Sequence, residues 1–262
     1  MKEKVIRILK KASILLVFCI GIFVLWQVEV QYGTKKADTV NAYPPIISTP
    51  NQQANTEKKN SKKEEEQQSS KSELLPAIEP FVKTNKDVIG YISIPDTNVD
   101  YPILMGQDND YYLYHDIDGN EDKAACIMAD YKYNDTNIRD KFQRHTLIYG
   151  HYLLKKTMFT SVAKYKDQKF FESHPYIYYS NLYKTGKWRV FSVYVINADQ
   201  ETIPRKFKED EKYIAYLKKI KERSKYKVDV SLDKDSKILT LCTCSYETKN
   251  SRAIVHAVLV DE

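Results

Sequence analysis

Three side chains with complementary chemistry stand out near the two ends of this sequence's second half. Cys244 closes the β-rich apolar run Ile238 to Cys244, a polar stretch Ser245 to Ser251 follows, and a second β-rich run begins at Arg252. Two strands joined by a loop place a thiol at the end of one and a guanidinium at the start of the next. A thiol beside a permanent cation is held nearer its thiolate form, which is the nucleophile. Nucleophilic acyl chemistry also needs a proton acceptor and a donor for the tetrahedral oxyanion. His151, at the end of Leu147-Ile148-Tyr149-Gly150-His151, supplies the first, and Arg252 supplies the second.

The elements that must position these groups are legible in outline. β-like pieces run Val88 to Ile94, Tyr101 to Leu104, Ala124 to Met128, Thr146 to Tyr149, Ile177 to Tyr179, Trp188 to Asn197, Ile238 to Cys244 and Arg252 to Val260. Turn chemistry separates several of them, as at Pro95-Asp96, Asp118-Gly119-Asn120 and Lys184-Thr185-Gly186. Many short strands with few helices predict a mainly β, closed or nearly closed barrel. Tyr213, Ile214, Leu217 and Ile220 share one face of a Glu/Lys-rich segment from about Glu209 to Lys225, a helix inserted before the Cys244 strand. Leu74 to Lys83 reads as a short helix despite Pro76 and Pro80, and Tyr111 to Tyr114 as a short helix or turn.

Ahead of this domain (74–262) the chain changes character twice. Lys2, Lys4, Arg7, Lys10 and Lys11, offset by Glu3, supply most of the net charge of +6. They precede the uncharged run Ala12 to Trp26. The expected organisation is a basic cytoplasmic stub (1–11), a signal-anchor helix (12–30) in membrane lipid, and a flexible extracellular linker (31–73). A cleaved signal peptide is the competing reading, but no small-x-small site follows closely. The positive-inside bias puts the catalytic domain on the extracellular face of a single-pass membrane protein. Residues 51–72, almost free of apolar side chains, cannot bury enough surface to offset ordering and provide reach. With the basic charge spent near the anchor, no nucleic-acid footprint remains.

The four cysteines, Cys19, Cys126, Cys242 and Cys244, form neither a disulfide framework nor paired zinc spacing. The acidic residues around His115 match no EF-hand loop and predict a solvated surface, so no metal is expected. Cys242 shares a strand face with Cys244 and reads as a small packing residue, with a second, tuning thiol as the alternative.

Thr240-Leu241-Cys242-Thr243-Cys244 with Arg252 eight residues on, and the strand ending Tyr149-Gly150-His151, resemble the sortase family. Val88 to Pro95, Asp100 to Ile103, Gln107 to Leu113, Thr157 to Phe159, Ser245 to Glu247 and the inserted helix are similar to class B. The resemblance implies an eight-stranded sortase-type barrel and a cysteine transpeptidase of the Gram-positive surface that needs no cofactor. Cys244, His151 and Arg252 would be its catalytic residues, and Tyr149, Thr243 and Ser245 would line the substrate groove. Its partners would be surface proteins with a C-terminal sorting signal of Asn-Pro-x-Thr-x type, and an amine of a peptidoglycan precursor. Pilin polymerisation onto a lysine, a non-catalytic tethered barrel, and a thiol-disulfide enzyme using Cys242 and Cys244 are the alternatives.

Overall fold

The computed structural model describes residues 73–132, 136–153, 155–204, 206–245 and 247–261. The basic stub, the apolar run and most of the linker lie outside the described residues. Among the described residues no helix is long and apolar enough to cross a membrane.

Eight strands close into one barrel: β1 (Val88–Ser93), β2 (Asp100–Leu104), β3 (Ile127–Ala129), β4 (His145–Tyr149), β5 (Tyr176–Ser180), β6 (Thr185–Asn197), β7 (Ile238–Cys244) and β8 (Ser251–Asp261). Their order around the barrel is β1-β2-β3-β4-β7-β8-β6-β5. Antiparallel pairing prevails, but β2/β3 and β4/β7 run parallel. The long β6 holds the wall together, pairing β5 with its first residues and β8 from Lys187 to Asn197.

Period-two alternation sorts the side chains. Ile148, Val190, Val193, Leu239, Leu241, Val255 and Ala257 belong to the barrel core around Trp188 and Tyr179. Residues between them face outward, where helix α3 (Asp210–Arg223) covers part of the wall. Tyr213, Tyr216, Leu217 and Ile220 of α3 bury against Phe191, Ile238 and Val258. These follow the i, i+3, i+4, i+7 spacing of one helix face. Ile214, expected on that face, is 44% exposed and Tyr216 takes its place, because one residue on is about 100° around the helix. Asp210 and Glu211 in the first turn and Lys221 and Arg223 in the last complement the helix dipole.

Other boundaries move for local reasons. Helix α1 is Glu79–Thr84, with Pro80 in the first turn, where its missing N–H costs nothing. Strand β3 starts later than its apolar run because the amides of Ala124 and Ala125 close a turn on Asp122. Three described elements went unmarked in the sequence: the 3-10 helices Thr136–Arg139 and Val162–Lys166, and α2 (Gln168–Ser173). The cap of α2 is Asp167, whose carboxylate accepts the Phe170 N–H at 2.9 Å.

Under α3 the outer face carries a buried polar chain. Thr240 Oγ1 shares hydrogen bonds with His145 Nε2 (2.8 Å) and His256 Nδ1 (2.7 Å), and His256 Nε2 with the Tyr194 hydroxyl (2.8 Å). Burial pushes His145 down to about 3 and His256 well below its ordinary value. Both rings are neutral in the fold, whereas in the unfolded chain they protonate near pH 6.5. Stability is therefore complete above pH 6.5 and falls as pH drops toward 3, by about 1.4 kcal/mol per pH unit for each ring. We expect urea midpoints that fall steadily from pH 6.5 to 4.5, with His145→Gln flattening the slope by about half. A midpoint independent of pH over that range would refute the neutral pair.

Candidate active site

The register of four neighbouring strands aligns the chemistry-bearing residues in rows on the outer face. Cys244 is the direct cross-strand partner of Arg252, and Arg252 of Ile196. The next row down is Tyr149, Cys242, Ile254 and Tyr194. Beyond the last β4/β7 pair the ladder continues, since the Gly150 N–H donates to the Cys242 carbonyl at 3.2 Å. His151 therefore leaves β4 level with Cys244. Directly opposed antiparallel residues have Cβ atoms about 4.5–5.5 Å apart, and adjacent strands lie about 4.8 Å apart. Thiol, guanidinium and imidazole thus converge at one edge of the barrel.

Gly150 allows this exit. A Cβ there would lie 2.5 Å from both Ile127 Cδ1 and Phe159 Cγ. Immediately after it, the His151 carbonyl accepts the Phe159 N–H at 2.9 Å. The ring is oriented from a distant part of the chain: His151 Nε2–H donates to the Leu113 carbonyl at 2.9 Å. A carbonyl can only accept, so the neutral ring keeps its proton on Nε2 and Nδ1 is the basic nitrogen. Leu113 ends a 3-10 helix, Tyr111–Leu113, held by Asp108, which accepts the N–H groups of Asp110 and Tyr111. Buried Tyr112 anchors it by donating to Asp87 at 2.8 Å. The acceptor is a backbone atom, so no side-chain pattern announces it.

Arg252 is half-buried, and its Nη1 donates to the Ser251 carbonyl at 2.9 Å. Among the described residues it forms no ion pair, which leaves most of its fork for an anionic group. Cys126, Cys242 and Cys244 are free thiols, and of these Cys244 is the one not buried. Cys242 packs with Leu147, Ile196 and Ile254. Burial pushes its thiol up to about 12 against the pull of Arg252, so it stays protonated.

The other three groove candidates divide. Tyr149 lies one row below the edge and donates its hydroxyl to Asp130 at 2.9 Å, alongside Asn109 Nδ2 at 3.0 Å. Thr243 alternates inward with the barrel core and is 2% exposed. Ser245 is buried, its Oγ accepting from Lys166 Nζ at 2.8 Å and donating to Glu247. Among the described residues, no cluster of three or more His, Cys, Asp or Glu side chains is placed to hold a metal ion.

The profile of the sortase domain matches residues 92–260 of this sequence. The chain belongs to the sortase family. Within it, the sortase is similar to sortase B of Listeria monocytogenes, 33% identical over 190 residues that cover 72% of this chain and 76% of the relative. A Bacillus anthracis crystal structure described as similar to sortase B superposes with a TM-score of 0.67 at 36% identity, covering 75% of this chain and 88% of that one. A Staphylococcus aureus sortase B–substrate complex gives 0.65 at 30% identity, covering 72% and 86%. The sortase is thus a class B cysteine transpeptidase. In it, Gly150→Ala should displace Phe159 and with it the His151 backbone. Overpacking of this kind costs about 1–3 kcal/mol, and on the acid–base role proposed below for His151 its displacement should cost roughly 100-fold in kcat. Thermal melting beside turnover measures both; normal turnover would show that His151 tolerates the shift.

Proposed function

We propose that the sortase cleaves a C-terminal sorting signal of Asn-Pro-x-Thr-x type after Thr and transfers the surface protein to an amine of a peptidoglycan precursor. In this reading Cys244 is the nucleophile, His151 the acid–base group and Arg252 the oxyanion donor. The observation that carries it is the outer-face row, in which Cys244 and Arg252 are direct cross-strand partners and His151 leaves β4 beside them.

His151 Nδ1 takes the Cys244 thiol proton, Sγ attacks the Thr carbonyl carbon, and the carbonyl electrons move onto oxygen. The Arg252 fork, permanently charged and free of carboxylate partners among the described residues, donates to that oxyanion. Collapse breaks the C–N bond as His151 delivers a proton to the departing amine, leaving a thioester on Cys244. The incoming amine then attacks the thioester, His151 accepts its proton through Nδ1, and the Cys244 thiolate leaves. The thioester conserves the acyl energy of the broken amide, so no nucleotide is consumed. The apolar patch of Cys242, Ile254, Ile196 and Tyr149 lies behind Cys244 on the same face and suits the side chains that precede the scissile bond.

The apolar run at 12–30 supports a single-pass anchor with the N-terminus inside, and 31–73 a tether that lets the catalytic domain work away from the lipid. Fractionation of expressing cells, with and without residues 12–30, tests that placement. For the reaction, the full chain in detergent is incubated with a panel of sorting-signal peptides and followed by mass spectrometry. Cleavage after Thr, with an acyl adduct on Cys244 that is absent in Cys244→Ala, is the expected result. No cleavage of any peptide, with Cys244 inert to alkylation, overturns the reading. Adding a glycyl or diaminopimelyl amine against a lysyl peptide separates cell-wall transfer from pilin polymerisation.

A further inference from the structure

The segment from His151 to Lys166 connects the acid–base residue to the loop that follows the nucleophile. It is fixed at its start by the Phe159 N–H on the His151 carbonyl, and next by Thr160 Oγ1, which accepts the Leu153 N–H at 3.1 Å. It then forms the 3-10 helix whose Val162 and Tyr165 are wholly buried in the barrel core. At the last residue of that helix, the Lys166 carbonyl accepts hydrogen bonds from Lys225 Nζ (2.8 Å) and the Tyr226 hydroxyl. Its ammonium reaches the β7–β8 loop, donating to Ser245 Oγ and to the Glu247 carboxylate, while the Ser245 hydroxyl donates to the other oxygen of that carboxylate. Ser245 is the residue after Cys244 and is 4% exposed.

We propose that Lys166 is a positioning residue for the transpeptidation: through Ser245 and Glu247 it locks the Cys244 end of the β7–β8 loop to the segment that carries His151. The inference rests on the reading of Cys244 and His151 as nucleophile and acid–base group. The far end of the loop is held separately, by Asn250 Nδ2 on the Asp199 carboxylate at 2.9 and 2.8 Å. Lys166 and Glu247 side chains are 29% and 44% exposed, and ion pairs so exposed add little to stability. What the charged ring supplies is direction, since the Lys166 ammonium donates to Ser245 Oγ and one Glu247 oxygen while the Ser245 hydroxyl donates to the other. Burial alone would raise the Glu247 carboxyl, but the hydrogen bonds from Lys166 and Ser245 outweigh it and keep the group ionised.

The test compares Lys166→Met, Lys166→Arg, Glu247→Gln and the Lys166→Met/Glu247→Gln pair in the full chain. The readouts are kcat and KM for a cleaved sorting peptide, and the rate of iodoacetamide alkylation at Cys244, located by mass spectrometry. Lys166→Met should lower kcat about tenfold with KM within about twofold, and slow alkylation comparably. Lys166→Arg should restore most of the loss, and the double variant should be no worse than Lys166→Met, because the ring acts as a unit. An unchanged kcat in Lys166→Met, no rescue by Arg, multiplied losses in the double variant, or a loss tracking a lowered melting midpoint each overturn the proposal. If the parent cleaves no sorting peptide, the sorting-signal reading fails instead, and the alkylation rates still decide whether Lys166 positions Cys244.

Discussion

Cys244→Ser should lower sorting-peptide cleavage by at least ~10³-fold without changing the fold. The exchange replaces one atom at a half-buried strand end, so packing is hardly touched. The chemistry is not equivalent. A hydroxyl is a far weaker acid than a thiol, so His151 would have to remove its proton during the attack. Serine enzymes manage this with a carboxylate that stabilises the imidazolium so formed. Here the partner of His151 Nε2 is the Leu113 carbonyl, a neutral acceptor, and it offers only a dipole. Single-turnover cleavage beside a thermal melt gives the answer. A serine variant within about tenfold of the parent would mean that His151 is a stronger base than this geometry provides.

Arg252→Met should be nearly as damaging, with kcat falling about 10²–10³-fold, the loss typical of removing one oxyanion donor. Because Arg252 forms no ion pair among the described residues, its removal strands no buried carboxylate there, and stability should stay within about 0.5 kcal/mol. Arg252→Lys keeps the charge and loses the planar fork, so it should recover only part of the rate. The split between kcat and KM is the informative measurement. A Met variant that keeps its kcat and loses only affinity would make Arg252 a substrate clamp rather than an oxyanion donor.

Much of this architecture was legible because each strand is a short β-rich run with turn residues at its ends. Cys244 and Arg252 could be joined on paper, since a hairpin links them. Nothing local ties His151 to them: its chemistry nominated it as a proton acceptor, but the parallel β4/β7 pairing that unites residues from opposite halves of the domain has no local signal. Period two also carried information that the motif obscured. Thr243 and Ser245 flank Cys244 in sequence, yet alternation turns both away from the face that Cys244 and Arg252 share. The helices at Val162–Lys166 and Gln168–Ser173 are too short for a periodic signal, though Asp167 marks a cap. The Leu113 carbonyl and the crowding at Gly150 are backbone and packing facts that appear only once the barrel is closed.

The parallel β4/β7 seam has a consequence for the order in which activity is gained as the chain folds. The β7–β8 hairpin is a local structure that brings Cys244 and Arg252 together early. His151 can join only when β4 pairs with β7 across an intervening stretch of chain that holds β5, β6 and α3. Contacts that span so much chain are the slow ones to form. On the roles proposed for these residues, a newly made or unfolded molecule carries its thiol without its proton carrier, and amide-bond cleavage should begin only once β4 and β7 have paired.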